Sequence, residues 1–303
     1  MTQFARYQIT HETHYRYAYA VSLSKQLLHL QPRQTAYQTI LSQQLNIKPE
    51  PHERLLLQDS FSNPCVQLEF NQPHDELKVT ANMTIEVFNR PELDFAQSMP
   101  WQELVALCRY QSGRHISEEL MAALPFCFQS PYIPLKHLFA DYAADCFEAN
   151  KPILQATQAL MAKIFSEFSF DPKATHIGTP LLEVLKNKRG VCQDYAHFML
   201  ACLRSLGIPA RYVSGYLLTH PPEGRPRLIG ADASHAWVAV YCPHLGWVDF
   251  DPTNNLLPNL EHITIAWGRD FSDVSPLRGV IFGGGQHQLE VRVTVLPVTA
   301  ETV

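Results

Sequence analysis

The hydrophobic pattern of the first part of the chain alternates between apolar and polar positions. Short runs with a period of two are separated by Pro, Asn and Asp, which is typical of strands joined by turns. The clearest runs are YQITHETHYRYAY, QTILSQQLNIKP, PCVQLEF and ELKVTANMTIEVF. We therefore predict a β-rich domain of the sandwich or barrel kind over residues 1–92.

After residue 92 the apolar positions recur at intervals of three and four, as on one face of a helix. WQELVALCRY and PLKHLFADYAADCF carry this spacing, and we interpret residues 93–150 as a helical bridge rather than a flexible linker. Three more helices are predicted between residues 151 and 206. The third begins at about Cys192 and ends at Gly207, a left-handed cap.

Beyond that helix the period returns to two. RYVSGYLLT, SHAWVAVY and GWVDF predict three successive strands, most simply antiparallel. A helix packed on an antiparallel sheet is the α+β pattern, and we predict an α+β core over residues 151–260. A C-terminal β segment follows over residues 261–303, where QLEVRVTVLPV is a further strand that the sequence does not assign to either sheet.

Composition narrows the class of protein. Hydrophobic residues make up 46% of the 303 positions and charged residues 17%, which is typical of a packed globular chain. The formal net charge is -5 and the basic residues are scattered, so we expect no nucleic-acid partner. The sequence has no apolar run long enough to span a membrane, and no basic N-terminal segment followed by an apolar run. We therefore expect a cytoplasmic protein with no membrane partner. The oligomeric state is not indicated.

The cysteines point to one reactive position. There are seven, an odd number without regular spacing, so we expect no disulfide framework in a reducing compartment. Only Cys192 lies where chemistry is expected, in the first turn of a predicted helix after RGV. A thiol attacks as the thiolate, which the positive end of a helix dipole favours and a neighbouring imidazolium favours more strongly.

His235 and Asp251 are the matching candidates for a base and its orienting group. His235 begins the strand SHAWVAVY, and Asp251 follows the strand GWVDF at a Pro turn. If the two strands pair across the short CPHLG connection, the two side chains can lie side by side, as a histidine base and its orienting acid require. Asp249 lies on the same face as Asp251 and is the rival candidate.

These blocks carry a family resemblance. RGVCQDYAHFMLACLRSLGIPARYVSGY, DASHAWVAVY and GWVDFDPTNN resemble the Cys, His and Asp blocks of the transglutaminase-like superfamily, in the same order and with approximate spacing. YQITHETHYRYAYAVSLSKQLLHLQPR resembles the β-rich domain that precedes the core in bacterial members, and GRDFSDVSPLRGVIFGGGQHQLEV their C-terminal segment. The resemblance implies a papain-like core with Cys192 as nucleophile, His235 as base and Asp251, the aspartate of DPT, as orienting acid.

The resemblance indicates the first step of the reaction but does not select its last step. Members range from protein cross-linking enzymes to peptidases and amidases, and a fold does not select among them. In all of them the thiolate attacks an amide carbonyl and a thioester remains, which water or an amine then resolves. We expect hydrolysis of peptide or isopeptide-type amides in a peptide or protein substrate, with glutamine transamidation as the alternative. No cofactor is predicted.

Four residues are candidates for the surroundings of the nucleophile. The backbone N–H groups of Gln193 and Asp194, with that of Cys192, are candidates for an oxyanion hole, although Asp in a first turn is also ordinary helix-start chemistry. Trp237 and Tyr216 are candidates for lining an acyl-binding groove, with core packing as the alternative for both.

Two non-hydrolase alternatives remain. Cys192 with His197, and Cys242 with His244, suggest a metal site, but the two ligand pairs typical of zinc sites are absent and we predict no metal. A catalytically inactive peptide-binding module is the other alternative. All three catalytic residue types are present in register, which favours an enzyme.

Overall fold

The computed structural model describes residues 3–220, 230 and 232–298. Within that part of the chain, no helix combines the length and apolar character needed to cross a membrane. The strands are β1 (Phe4–Leu28), β2 (Gln38–Lys48), β3 (Glu53–Gln58), β4 (Pro64–Phe70), β5 (His74–Phe88), β6 (Ser169–Phe170), β7 (Arg189–Gly190), β8 (Ala210–Leu217), β9 (Ser234–Cys242), β10 (Gly246–Phe250), β11 (His262–Gly268), β12 (Leu277–Gly283) and β13 (His287–Pro297). The α-helices are α1 (Trp101–Cys108), α2 (Glu118–Ala123), α3 (His137–Ala143), α4 (Ile153–Glu167), α5 (Leu181–Asn187), α6 (Cys192–Ser205) and α7 (Phe271–Val274).

The N-terminal sheet is organised around β1, a single strand of 25 residues. β5 and then β4 run antiparallel along one side of β1, while β13 and then β12 run along the other. β2 pairs with β5 and β3 pairs with β4. The strand-rich N-terminal region is therefore confirmed. The segment QLEVRVTVLPV lies mostly in β13 and joins this sheet, which the sequence left open.

A run of glycines begins at the last residue of β12 and leads toward β13. Gly283, Gly284 and Gly285 have φ values of +94°, +79° and +62°, a region that favours glycine. A Cβ on Gly283 would also lie 2.6 Å from the carbonyl oxygen of Ala20 in β1. The chain can therefore turn here and resume pairing with the same strand.

The core confirms the predicted α+β arrangement. Its antiparallel sheet has the order β10-β9-β8-β11, and α6 packs against β8 and β9. β9 and β10 pair from Cys242↔Gly246 to Val238↔Phe250, across the short connection that the sequence predicted. β11 was not predicted. It lies beyond residue 260 and pairs with β8 at the edge of the sheet.

Two amide side chains from the N-terminal region bind the outer edge of β11. Gln38 Oε1 accepts from the Thr264 N–H at 2.8 Å, and Gln38 Nε2 donates to the Thr264 carbonyl at 2.8 Å. Asn63 makes the same pair of contacts with Trp267, at 3.0 and 2.7 Å. Both amides are buried. They satisfy backbone groups that an edge strand otherwise leaves unpaired, and they join the two sheets.

Gln38→Ala is therefore expected to destabilise the protein. The substitution leaves the N–H and the carbonyl of Thr264 buried without these partners, and we expect a loss of about 1–3 kcal/mol in the free energy of unfolding. Urea unfolding measures the change. Gln43→Ala is the matched control, because Gln43 is exposed on the same strand, and it should change the stability by less than about 0.5 kcal/mol. Equal effects of the two substitutions would contradict the role given to Gln38.

Candidate active site

The start of α6 brings Cys192 to the first residues of β9. Asp194 Oδ2 accepts from the Val191 N–H at 2.8 Å and from Thr175 Oγ1 at 2.6 Å, which fixes the first turn of the helix. Gly190 leaves room for that carboxylate, since a Cβ at this position would lie 2.3 Å from Asp194 Oδ2. Cys192 is partly exposed, and its Sγ lies 3.9 Å from the carbonyl oxygen of Ser234.

His235, the next residue along β9, lies between Cys192 and Asp251. Its Nε2 is 2.8 Å from Asp251 Oδ2, which leaves Nδ1 for Cys192. Burial alone would lower the pKa of His235, but hydrogen bonds and charge attraction from Asp251 and Cys192 outweigh it and raise that pKa to about 10. These contacts favour the protonated ring, and an imidazolium at this position can stabilise an anionic sulfur.

Asp251 is fully buried and is held at both oxygens. Oδ1 accepts from the backbone N–H groups of Thr253 and Asn254, at 3.0 and 3.3 Å. Oδ2 accepts from His235, from Asn254 Nδ2 at 2.8 Å and from His262 Nε2 at 3.2 Å. Burial raises the pKa of Asp251, but the hydrogen bonds from His235, His262 and Asn254 hold it well below its usual range. The carboxylate is therefore ionised.

The rival aspartate has a different partner. Asp249 lies two residues before Asp251, and its Oδ2 is 2.5 Å from Nη1 of Arg90. The guanidinium of Arg90 also lies 5.6 Å from the ring of Tyr37, outside the sheet of β9. Of the two aspartates, the structure thus brings Asp251 to His235 and pairs Asp249 with Arg90.

Trp237 and Tyr216 are both fully buried. The Trp237 ring centroid is 6.1 Å from that of His235 and 5.3 Å from that of His262. Gly215 in β8 is needed for this packing, because a Cβ there would lie 2.7 Å from Trp237 Cη2. The Tyr216 hydroxyl instead lies 2.8 Å from His11 Nδ1 on β1, so this side chain links the two sheets.

The predicted oxyanion-hole donors in the first turn of α6, the N–H groups of Gln193 and Asp194, have different environments. The Asp194 N–H donates to the Val191 carbonyl at 2.8 Å, and the Asp194 side chain caps the same turn. Asp194 is therefore engaged in helix-start contacts. Gln193 is half-buried at the second position of the helix, beside Cys192.

Sequence reasoning missed two groups that contact Asp251. Asn254 follows Asp251 by three residues in DPTNN, and the tendency of Asx side chains to bond nearby groups was the available signal. His262 begins β11, which was not predicted, so no local pattern placed it beside Asp251. Asn254 and His262, together with His235 and Asp251, form a hydrogen-bonded cluster.

The cluster also bears on metal binding. The ligand atoms of His235, Asp251 and His262 lie within 4.8 Å of one another, a spacing that a metal ion can use. Hydrogen bonds among the three groups occupy these same atoms, and we interpret them as hydrogen-bonding partners rather than metal ligands. His197, half of the Cys192 metal alternative, accepts from the Phe271 N–H at 3.1 Å.

Two families match this chain. Residues 140–252 match the Transglutaminase-like superfamily, and residues 7–86 match the Bacterial transglutaminase-like N-terminal region. The first range includes Cys192, His235 and Asp251, and the second covers most of the N-terminal sheet outside β12 and β13. The two matches follow one another along the chain in the order that the sequence analysis expected.

Comparison with individual proteins extends the likeness to the whole chain. An uncharacterised protein of Mycobacterium tuberculosis is 33% identical over 303 residues, covering 98% of this chain and 95% of that one. A protein-glutamine gamma-glutamyltransferase of Pseudomonas aeruginosa is 34% identical over 109 residues, which cover 33% of this chain and 16% of that one. A candidate cysteine protease from Cytophaga hutchinsonii has the same fold, with a TM-score of 0.74 and 18% identity over 99% of this chain and 93% of that one.

Proposed function

Since the chain belongs to the transglutaminase-like superfamily, we propose that it is a thiol-dependent enzyme that hydrolyses peptide or isopeptide-type amides through Cys192, His235 and Asp251. The observation that carries the proposal is the position of His235. It lies between a buried, ionised carboxylate and the cysteine at the start of α6, and its pKa is raised to about 10. This is the arrangement expected of an activated thiol nucleophile.

The residues have separate roles in the proposed reaction. The Cys192 thiolate attacks the carbonyl carbon of the amide and forms the S–C bond, while His235 gives its proton to the departing nitrogen as the C–N bond breaks. A thioester and a free amine or ammonia result. His235, now neutral, takes a proton from water, and the resulting hydroxide equivalent splits the thioester to a carboxylic acid and Cys192.

Asp251 and the helix start support these steps. Asp251 holds Nε2 of His235 and so keeps Nδ1 directed at Cys192. We propose that the backbone N–H groups of Cys192 and Gln193 stabilise the oxyanion, because they lie in the first turn of α6, where helix N–H groups lack intrahelical acceptors. The side chains of Asp194, Trp237 and Tyr216 support the site by packing and capping.

Transamidation is the second candidate. It is favoured by the match of 109 residues to the Pseudomonas aeruginosa gamma-glutamyltransferase, whereas the likeness to the Cytophaga hutchinsonii candidate protease favours hydrolysis. Both reactions use the same thioester and differ in the acceptor. We place hydrolysis first and expect a peptide or protein substrate in the cytoplasm, without a cofactor.

A peptide that contains internal glutamine, incubated with a primary amine, separates the candidates. Mass spectrometry distinguishes backbone cleavage, conversion of glutamine to glutamate, and an amine adduct. We expect cleavage or glutamate formation to exceed adduct formation, with every product absent when Cys192→Ala replaces the native chain. Predominant adduct would assign a transferase, and products that persist in Cys192→Ala would contradict a thiol mechanism.

A further inference from the structure

Two histidines share one carboxylate oxygen at the buried centre of the site. Asp251 Oδ2 lies 2.8 Å from Nε2 of His235 and 3.2 Å from Nε2 of His262. All three residues are at least nine-tenths buried. His262 comes from β11, at the opposite edge of the sheet from the strand that leads to Asp251.

The protons in this cluster can be assigned from the hydrogen bonds. An ionised Asp251 only accepts, so each ring must present an N–H at Nε2. Nδ1 of His262 is buried and has no hydrogen-bond partner within the described residues, so a second proton there would be unsatisfied. Burial lowers the pKa of His262 and outweighs the hydrogen bond and charge of Asp251, while smaller repulsions from His235 and Arg90 act in the same direction as burial. His262 is therefore neutral, while His235 carries the positive charge.

We propose that His262 is a positioning residue for the reaction. Its neutral ring donates a second hydrogen bond to the Asp251 oxygen that binds His235, and this weakens the interaction between Asp251 and the charged His235 ring. This proposal rests on the proposed function. An imidazolium that is bound too strongly is a poor proton donor to a leaving amine, because general acids work best when their pKa lies near the operating pH. Because Asp251 is shared with His262, the pKa of His235 stays closer to the operating pH.

The charged groups around the two rings define what the loss of His262 would change. His235 faces Asp251 and Cys192, while His262 faces Asp251, His235 and Arg90. Without the His262 donor, Oδ2 of Asp251 keeps only His235 and the side chain of Asn254 among these contacts. The negative charge then acts more fully on His235, and the pKa of that ring should rise further.

Simple packing is the competing explanation for His262. Its ring meets Trp237 edge-on at a centroid distance of 5.3 Å, and this contact alone is a reason for an aromatic residue. His262→Phe keeps a ring against Trp237 and removes the donor. His262→Gln keeps an N–H at a reach similar to Nε2 and removes the ring. The two variants separate hydrogen bonding from packing.

The test is the titration of His235 in the full-length protein, followed by NMR of isotope-labelled histidine. We expect His262→Phe to move the midpoint of His235 to higher pH and to lower kcat/KM about fivefold, while alkylation of Cys192 at neutral pH is unchanged. His262→Gln should keep the native midpoint. If His262→Phe does not fold, His262→Asn, whose shorter amide falls short of Asp251, should give the same upward shift.

The outcomes distinguish this inference from the proposed function. An unchanged midpoint in His262→Phe and in His262→Asn would overturn the inference, as would equal shifts in His262→Phe and His262→Gln, which would assign a packing role. A native protein whose His235 titrates near its ordinary value would instead overturn the proposed function.

Discussion

Replacing Cys192 by Ala is expected to abolish turnover while leaving the fold intact. The sulfur is the proposed site of thioester formation, and no other group in the cluster can replace it, so we expect a loss of at least about 10⁵-fold in kcat. Cys192 is only partly buried, and its replacement should leave the urea unfolding curve close to that of the native protein. Hydrolysis of the glutamine peptide measures the first effect.

Cys108→Ala is the matched control for this substitution. Cys108 is also a half-buried free thiol, but it ends α1, outside the cluster around His235. We expect its replacement to keep the native kcat. Turnover retained in Cys192→Ala, or lost equally in Cys108→Ala, would remove Cys192 from the mechanism.

The second large effect is expected for Asp251→Asn. The amide keeps the shape of the side chain, but it removes the charge that stabilises imidazolium on His235. We expect kcat to fall about 10³- to 10⁴-fold, which is less than the loss caused by Cys192→Ala. Asp249→Asn, two residues earlier at a position within β10, is the control. It breaks the ion pair with Arg90 and should lower stability while keeping turnover.

Asp251→Asn should also change the pH dependence of stability. Because the folded pKa of Asp251 is below its ordinary value of 3.8, its contribution is present above that pH and is lost on acidification through the folded pKa. Because the pKa of His235 is raised from 6.5 to about 10, its contribution is complete below pH 6.5 and is lost as the pH rises through about 10. The free energies of unfolding of the native and variant proteins should therefore differ most between pH 3.8 and pH 6.5. A difference that stays constant up to pH values above 10 would contradict the charge pairing.

The fold could be predicted from the sequence where the spacing of apolar residues or a turn residue marks an element. The run GWVDF corresponds to β10, and α6 was predicted because its apolar residues recur at helical spacing and Gly207, with a φ of +86°, follows its end. β11 was missed although HITIA alternates polar and apolar residues, because so short a run becomes a strand only through its pairing with β8. β3 was missed because its six residues are all exposed and no buried face marks it. β1 was predicted as a shorter run, because its middle is exposed where partner strands change.

Only some residues of the candidate site could be predicted from the sequence. Cys192, His235 and Asp251 stand in sequence blocks whose residue types and order indicate acyl-transfer chemistry. The choice between Asp249 and Asp251 needed the family resemblance, since alternation places both on one face. The role of His262 could not be predicted, because it depends on a strand beyond residue 260 that folds back beside β8. Hydrogen bonds between distant segments follow from the closed tertiary structure and not from local pattern.

The state of the Cys192 sulfur in the native protein is the most direct test. The rate of alkylation by iodoacetamide below about pH 7, resolved for each cysteine by peptide mass spectrometry, reports the thiolate. Cys192 should react at least about tenfold faster than every other cysteine, and His235→Gln should reduce it to their rate. Uniform slow labelling of Cys192 and the remaining thiols in the native protein would contradict the enzyme proposed here.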